Sequence, residues 1–267
     1  MEKKKIILMR LIIVLLICTT LLFAGMFFHV ISDTEGNYSD EMKILYTVNY
    51  DDEGANLVER KGDHQDSPYF ARADFYNNKP TETLSILPKF KTIQQTSWWS
   101  CGVCAVLMTL DYYDCLGNWN EKNLAKLCSD HSDKHIGLCL DQIIEMLQVA
   151  SKLELETTYD YLDKLDTVNC AWIREQINNG YPIIVGWNDW GGHWQVIIGY
   201  DDMGTGNYFG DDVIIMADPF DTTDHNQDGY GVYGADRFIY NFDFYDFFGD
   251  EKHLHSKCFV VIKPKLT

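Results

Sequence analysis

Gln94-Gln95-Thr96-Ser97-Trp98-Trp99-Ser100-Cys101-Gly102 is the stretch on which the reading of this chain turns. It runs into Val103, Val106, Leu107, Leu110 and Tyr113, an apolar spacing of three and four that predicts a helix over 101–116, closing near Gly117. A cysteine therefore stands where a helix begins, six residues after an amide side chain. Unpaired backbone N–H groups and the positive end of the helix dipole favour the thiolate there, which is the nucleophilic form. Gln95 and the Cys101 N–H are candidate donors to a tetrahedral oxyanion. Plainer readings of Cys101 stand beside this one: a small buried residue at a helix start, or half of a disulfide. Cys104, one helical turn later, is the competing nucleophile.

Acyl transfer also needs a base. Gly191-Gly192-His193-Trp194-Gln195-Val196 sets His193 at the head of an apolar strand, after two glycines that leave its approach open. His64, His131, His135, His225, His253 and His255 sit in polar surroundings and lack that setting. Met216-Ala217-Asp218-Pro219 offers Asp218 at the end of the next strand, where a carboxylate can orient one ring nitrogen of His193. Any one of these residues alone reads more simply as packing or as a turn. Their order on helix start, strand start and strand end is what points to chemistry.

The wider pattern fits two halves. Helical stretches over 121–128, 140–150 and 167–179 follow the first, the last with Gly180 as its C-cap. The period then changes to short apolar runs at 182–187, 193–200, 213–217 and 258–262, separated by Gly, Asp and Asn. Helices packed on an antiparallel sheet make the expected fold class α+β. The aromatic cluster of Phe238, Ile239, Tyr240, Phe242, Phe244, Tyr245, Phe247 and Phe248 reads as core packing under a C-terminal helix rather than as a peptide-binding wall.

These residues resemble a known family. The run from Gln95 through Cys101-Gly102 to Tyr112-Tyr113 is similar to the bacteriocin-processing peptidases of family thirty-nine and their stand-alone relatives, in the papain-like clan. Residues 192–201 resemble that family's histidine strand, and Asp218-Pro219 its aspartate motif. The resemblance implies a papain-like fold, with the nucleophile at a helix N-terminus and His and Asp on the sheet. It maps the nucleophile onto Cys101 rather than Cys104. It further implies a cysteine peptidase in which Gln95, Cys101, His193 and Asp218 act on a peptide or protein substrate, with no cofactor required. A loop rich in Asp, Gly and Asn over 201–212 departs from the family pattern. Two other readings stay open: an acyltransferase of the phytochelatin-synthase or transglutaminase type, and a non-catalytic extracellular binding module on the same fold.

Asp224-x-Asn226-x-Asp228-Gly229 copies the opening of a calcium loop, so a structural calcium on Asp224, Asn226 and Asp228 is an expectation, although Ala235 stands where a twelfth-position glutamate belongs.

Composition sets the context. With 46% hydrophobic residues, the 267-residue chain can fill one core of ordinary domain size. Its net charge of −18 repels phosphate backbones, so nucleic acid is excluded as an expected partner. The basic Lys3, Lys4, Lys5 and Arg10 cluster at the start, before about twenty apolar residues from Leu11 to Val30, enough to cross a hydrocarbon core. Residues 1–30 are therefore expected to be a membrane anchor or signal segment, followed by an acidic spacer over 31–87, which can carry a strand that docks on the peptidase domain of 88–267. Basic residues before the apolar run and acidic ones after it place the rest of the chain outside the cell. Seven cysteines follow the apolar segment, a number that permits up to three disulfides and one free thiol.

Overall fold

The computed structural model describes residues 73–128, 137–189, 191–206, 208–221, 227–243 and 257–265. Two compact units, 1–38 and 39–267, divide the chain, and every described residue belongs to the second. The segment read as a membrane anchor lies outside the described residues. Among the described residues no helix is long and apolar enough to cross a membrane.

The architecture is α+β. Among the described residues, seven strands form one antiparallel sheet: β1 (Leu84–Ile86), β2 (Glu154–Thr157), β3 (Ile183–Trp187), β4 (His193–Asp201), β5 (Val213–Ala217), β6 (Tyr230–Gly234) and β7 (Cys258–Lys263). The order across the sheet is β2-β7-β3-β4-β5-β6. Strand β4 is its axis, buried from His193 to Tyr200, which is why it reads as a continuous apolar run rather than an alternation. It pairs with β3 over 193–197 and with β1 over 199–201, while β5 takes the residues from Val196 to Asp201. Strand β1 thus ties the segment read as a spacer into the sheet.

Among the described residues, five α-helices accompany the sheet: α1 (Cys101–Tyr112), α2 (Glu121–Ala125), α3 (Leu140–Ala150), α4 (Cys170–Asn178) and α5 (Ala235–Asn241). Every residue of α1 from Cys101 to Leu110 is buried, so it is the central helix of the domain, and it packs on β4 and α3. Its close approach depends on Gly102. A Cβ there would meet Ile143 Cδ1 at 2.7 Å, Leu138 Cδ1 at 3.0 Å and Trp194 Cδ1 at 3.2 Å. Helix α3 buries Leu140, Ile143, Met146 and Leu147 on one stripe.

Helix ends differ from the sequence expectation in instructive ways. Helix α1 stops at Tyr112, short of Gly117, because Asp114 turns to φ +54° and Cys115 N–H reaches back to Leu110 O at 2.7 Å. Helix α2 ends at Ala125 rather than at 128. Helix α4 starts at Cys170, not 167, because the Asn169 side chain caps it by accepting from Trp172 N–H at 3.1 Å. Its other end is the predicted Gly180, at φ +80°. There Gly180 N–H donates to Ile177 O and Tyr181 N–H to Gln176 O, the paired bonds of a Schellman motif.

Phe238 and Phe242 of the aromatic cluster are buried, with ring centroids 4.7 Å apart, whereas Tyr240 faces solvent; 244–248 lie outside the described residues. Among the described residues, Cys101, Cys104, Cys115, Cys128, Cys139, Cys170 and Cys258 form no disulfide with one another.

Candidate active site

Cys101 is the first residue of α1. The preceding Ser100 makes no side-chain cap, because its hydroxyl is held by Ser97 O and by the Glu121 carboxylate. The first turn of the helix therefore keeps N–H groups that no side chain covers, beside a sulfur at the floor of a cleft. Cys104, one turn on, is wholly buried in the core and does not line that cleft. Of the two cysteines, Cys101 is the one that lines the cleft.

His193 opens β4. Gly191 and Gly192, at φ +100° and +113°, turn the chain into the strand in a conformation that a side chain would strain. The ring is 4% exposed, and its Nε2 lies 2.7 Å from Asp218 Oδ1. The His193 side chain also contacts that of Cys101. With Nε2 engaged by Asp218, Nδ1 is the ring nitrogen left for the sulfur. Burial, the largest influence, works against a charged ring. The charge and hydrogen bond of Asp218, with the contact to Cys101, outweigh it and raise the His193 pKa to about 10.

Asp218 follows β5 directly and is 1% exposed. The ladder pairs Val196 with Ala217, so its continuation sets Asp218 across from Gln195. Oδ1 of Asp218 also accepts from Phe220 N–H at 2.8 Å, and Oδ2 accepts from Gln195 Nε2 at 2.7 Å. The structure thus brings together the predicted Cys101, His193 and Asp218.

Gln95 is in the cleft too, but its amide points elsewhere than the sequence suggests. Nε2 donates to Ser97 O at 2.8 Å and to Trp98 O at 3.2 Å, leaving Oε1 buried without a hydrogen-bond partner. The Gln95 N–H is fixed to Pro219 O at 2.8 Å, which locks this loop to the one carrying Asp218. Around these groups the cleft is lined by aromatic residues (Trp98, Trp99, Phe220) and glycines (Gly137, Gly191, Gly192).

Two residues of the site were not singled out from the sequence. Gln195 is a polar residue two places after His193 in an apolar strand, hence on the same face; that spacing was the available signal. Glu121 is fully buried beneath the 96–100 loop, and nothing in Asn120-Glu121-Lys122 distinguishes it from an exposed helix start.

For the calcium loop, Asp224 and Asn226 lie outside the described residues. Asp228 is 6% exposed, with Oδ1 accepting from Tyr230 N–H at 3.0 Å. Among the described residues no three metal-ligating side chains gather as a metal site would require.

The α+β domain thus sets a helix-start cysteine and a strand-start histidine at one cleft, with a buried aspartate bonded to the histidine. The chain belongs to the Peptidase_C39 like family, whose sequence profile matches residues 88–240. The matched span contains Gln95, Cys101, His193 and Asp218. No curated protein sequence matches the chain.

Proposed function

We propose that this chain is an exported cysteine peptidase, with Cys101 as nucleophile, His193 as general acid and base, and Asp218 orienting the histidine. The observation that carries the proposal is the 2.7 Å contact between His193 Nε2 and Asp218 Oδ1, which turns the other ring nitrogen to Cys101. In the reaction the Cys101 thiolate bonds to the substrate carbonyl carbon, and the carbonyl oxygen takes the negative charge. The Cys101 N–H stabilises it, together with Gln95 once its amide exchanges the longer bond to Trp98 O for the oxyanion. Protonated His193 passes its proton to the leaving amine as the C–N bond breaks, leaving a thioester. Water then attacks the thioester while His193 Nδ1 takes its proton, and the S–C bond breaks to release the acid and regenerate the thiolate.

Membership of a peptidase-like family supports a peptide or protein as the substrate. The basic start and apolar run of residues 1–30 support export, with an uncleaved membrane anchor and the peptidase outside the cell. A calcium ion on the loop of Asp224, Asn226 and Asp228 belongs to the same proposal as a structural element only.

The test is turnover. Full-length protein in detergent is incubated with a proteome-derived peptide library, and new termini are read by mass spectrometry against Cys101→Ala. New N-termini made by the wild type and absent from the variant support hydrolysis. Amine-linked products indicate acyl transfer instead, and no change with either protein indicates a binding module.

A further inference from the structure

We infer that Gln195 is a positioning residue of this site: it holds the second oxygen of Asp218 and so fixes which nitrogen of His193 serves Cys101. The inference rests on the cysteine-peptidase reading. Its basis is a chain of hydrogen bonds whose direction is set at one end. The Trp187 indole N–H can only donate, and it donates to Gln195 Oε1 at 2.5 Å. The amide orientation follows, because Oε1 must face the indole. Gln195 Nε2 is left to donate, and it does so to Asp218 Oδ2 at 2.7 Å and to Tyr233 Oη at 3.0 Å.

At Asp218 the chain meets the catalytic pair. Oδ2 receives Gln195, while Oδ1 receives Phe220 N–H and faces His193 Nε2. The two donors of fixed direction at Asp218, the Gln195 amide and the Phe220 N–H, both point at its oxygens, so Asp218 serves as an acceptor and His193 donates from Nε2. The nitrogen turned to the sulfur is then Nδ1, whichever protonation state it holds. Gln195 is fully buried and stands across the ladder from Asp218, so neither water nor a shift of the strand replaces its amide. Tyr233 adds no competing charge, because burial first, then the nearby Asp218, Asp189 and Asp221, push its pKa far up and keep it a neutral phenol. It touches Asp189 Oδ2 at 3.4 Å. The titratable groups on this network are therefore Cys101, His193, Asp218, Asp189, Asp221 and Tyr233.

A leucine at 195 keeps the bulk but leaves both Asp218 Oδ2 and the Trp187 N–H without partners. An introduced carboxylic acid repels Asp218 when ionised and donates to it when protonated.

The experiment measures the second-order rate of Cys101 alkylation by iodoacetamide from pH 4 to 11. It uses full-length protein in detergent, with peptide mapping, for wild type, Gln195→Leu, Gln195→Glu and Trp187→Phe. For Gln195→Leu we expect a rate roughly tenfold lower at pH 7 and an alkaline limb moved to lower pH, because the imidazolium loses part of its anchor. For Gln195→Glu the rate should climb relative to Gln195→Leu as pH falls. Trp187→Phe, which keeps an aromatic ring at that position, should shift the alkaline limb in the same direction by less, and it stands in if the changes at 195 prevent folding. Gln195→Leu or Trp187→Phe lying on the wild-type curve overturns the inference. A wild-type Cys101 no more reactive than the other cysteines overturns the peptidase reading beneath it.

Discussion

Glu121, the first residue of α2, closes its carboxylate on Thr96, accepting from the backbone N–H at 3.0 Å and from the hydroxyl at 2.6 Å. The same carboxylate accepts from Ser100. One buried acid therefore holds both ends of the loop that starts after Gln95 and ends at Cys101. Removing it leaves several buried donors without an acceptor. Glu121→Ala is expected to lower stability by about 3 kcal/mol in urea denaturation and to slow alkylation of Cys101. Glu121→Gln, which keeps an acceptor, is expected to lose less of both.

The His193–Asp218 pair carries a pH signature. The folded chain raises the His193 pKa above 6.5, so the folded state keeps a proton that the unfolded chain releases. Such stabilisation is complete below pH 6.5 and is lost as pH rises toward 10. In a Cys101→Ala background, adding Asp218→Asn should cost most near pH 6 and progressively less by about pH 9. Urea melts across that range check it, and a cost that grows with pH contradicts the ion pair.

Gly102 is a packing requirement next to Cys101. The Cβ of Gly102→Ala would press into Ile143, Leu138 and Trp194 at the point where α1 meets α3 and β4. About 1–2 kcal/mol of destabilisation is expected from overpacking, with slower Cys101 alkylation as the helix start is displaced. A melting temperature equal to wild type would show that the contact relaxes freely.

Trp98 is 56% exposed at the cleft, edge-on to Phe220 with ring centroids 6.3 Å apart. It lines the cleft where a bound peptide would pack against its indole. For a peptide substrate found in the library, Trp98→Ala is expected to raise KM about tenfold and leave kcat within about twofold. A fall in kcat at unchanged KM would assign it a different part.

Much of this architecture is legible in the sequence because it rests on periodicity. Strands β3, β4, β5 and β7 are apolar runs between turn residues, and α3 carries its stripe at helical spacing. Strand β1 has only three residues, and β2 is the edge segment Glu154-Leu155-Glu156-Thr157, so neither offers enough pattern to be read. Strand β6 contains Gly231 and Gly234 and takes its place through pairing with β5 rather than through propensity. In the site, Cys101, His193 and Asp218 announce themselves because each stands at the end of an element. Gln95 is legible as a cleft residue but not in its orientation, which depends on the carbonyls of Ser97 and Trp98. Glu121 was hidden for a physical reason: its burial comes from a loop 21–25 residues earlier folding over it, a tertiary contact that no local pattern records.

The central claim is an activated Cys101–His193 pair, and the most direct measurement is iodoacetamide labelling of the full-length chain at pH 6 with peptide mapping, alongside His193→Ala. Rapid modification confined to Cys101 and lost in His193→Ala is the predicted result. Modification at Cys104, or equally slow modification of all the cysteines in both proteins, would contradict it.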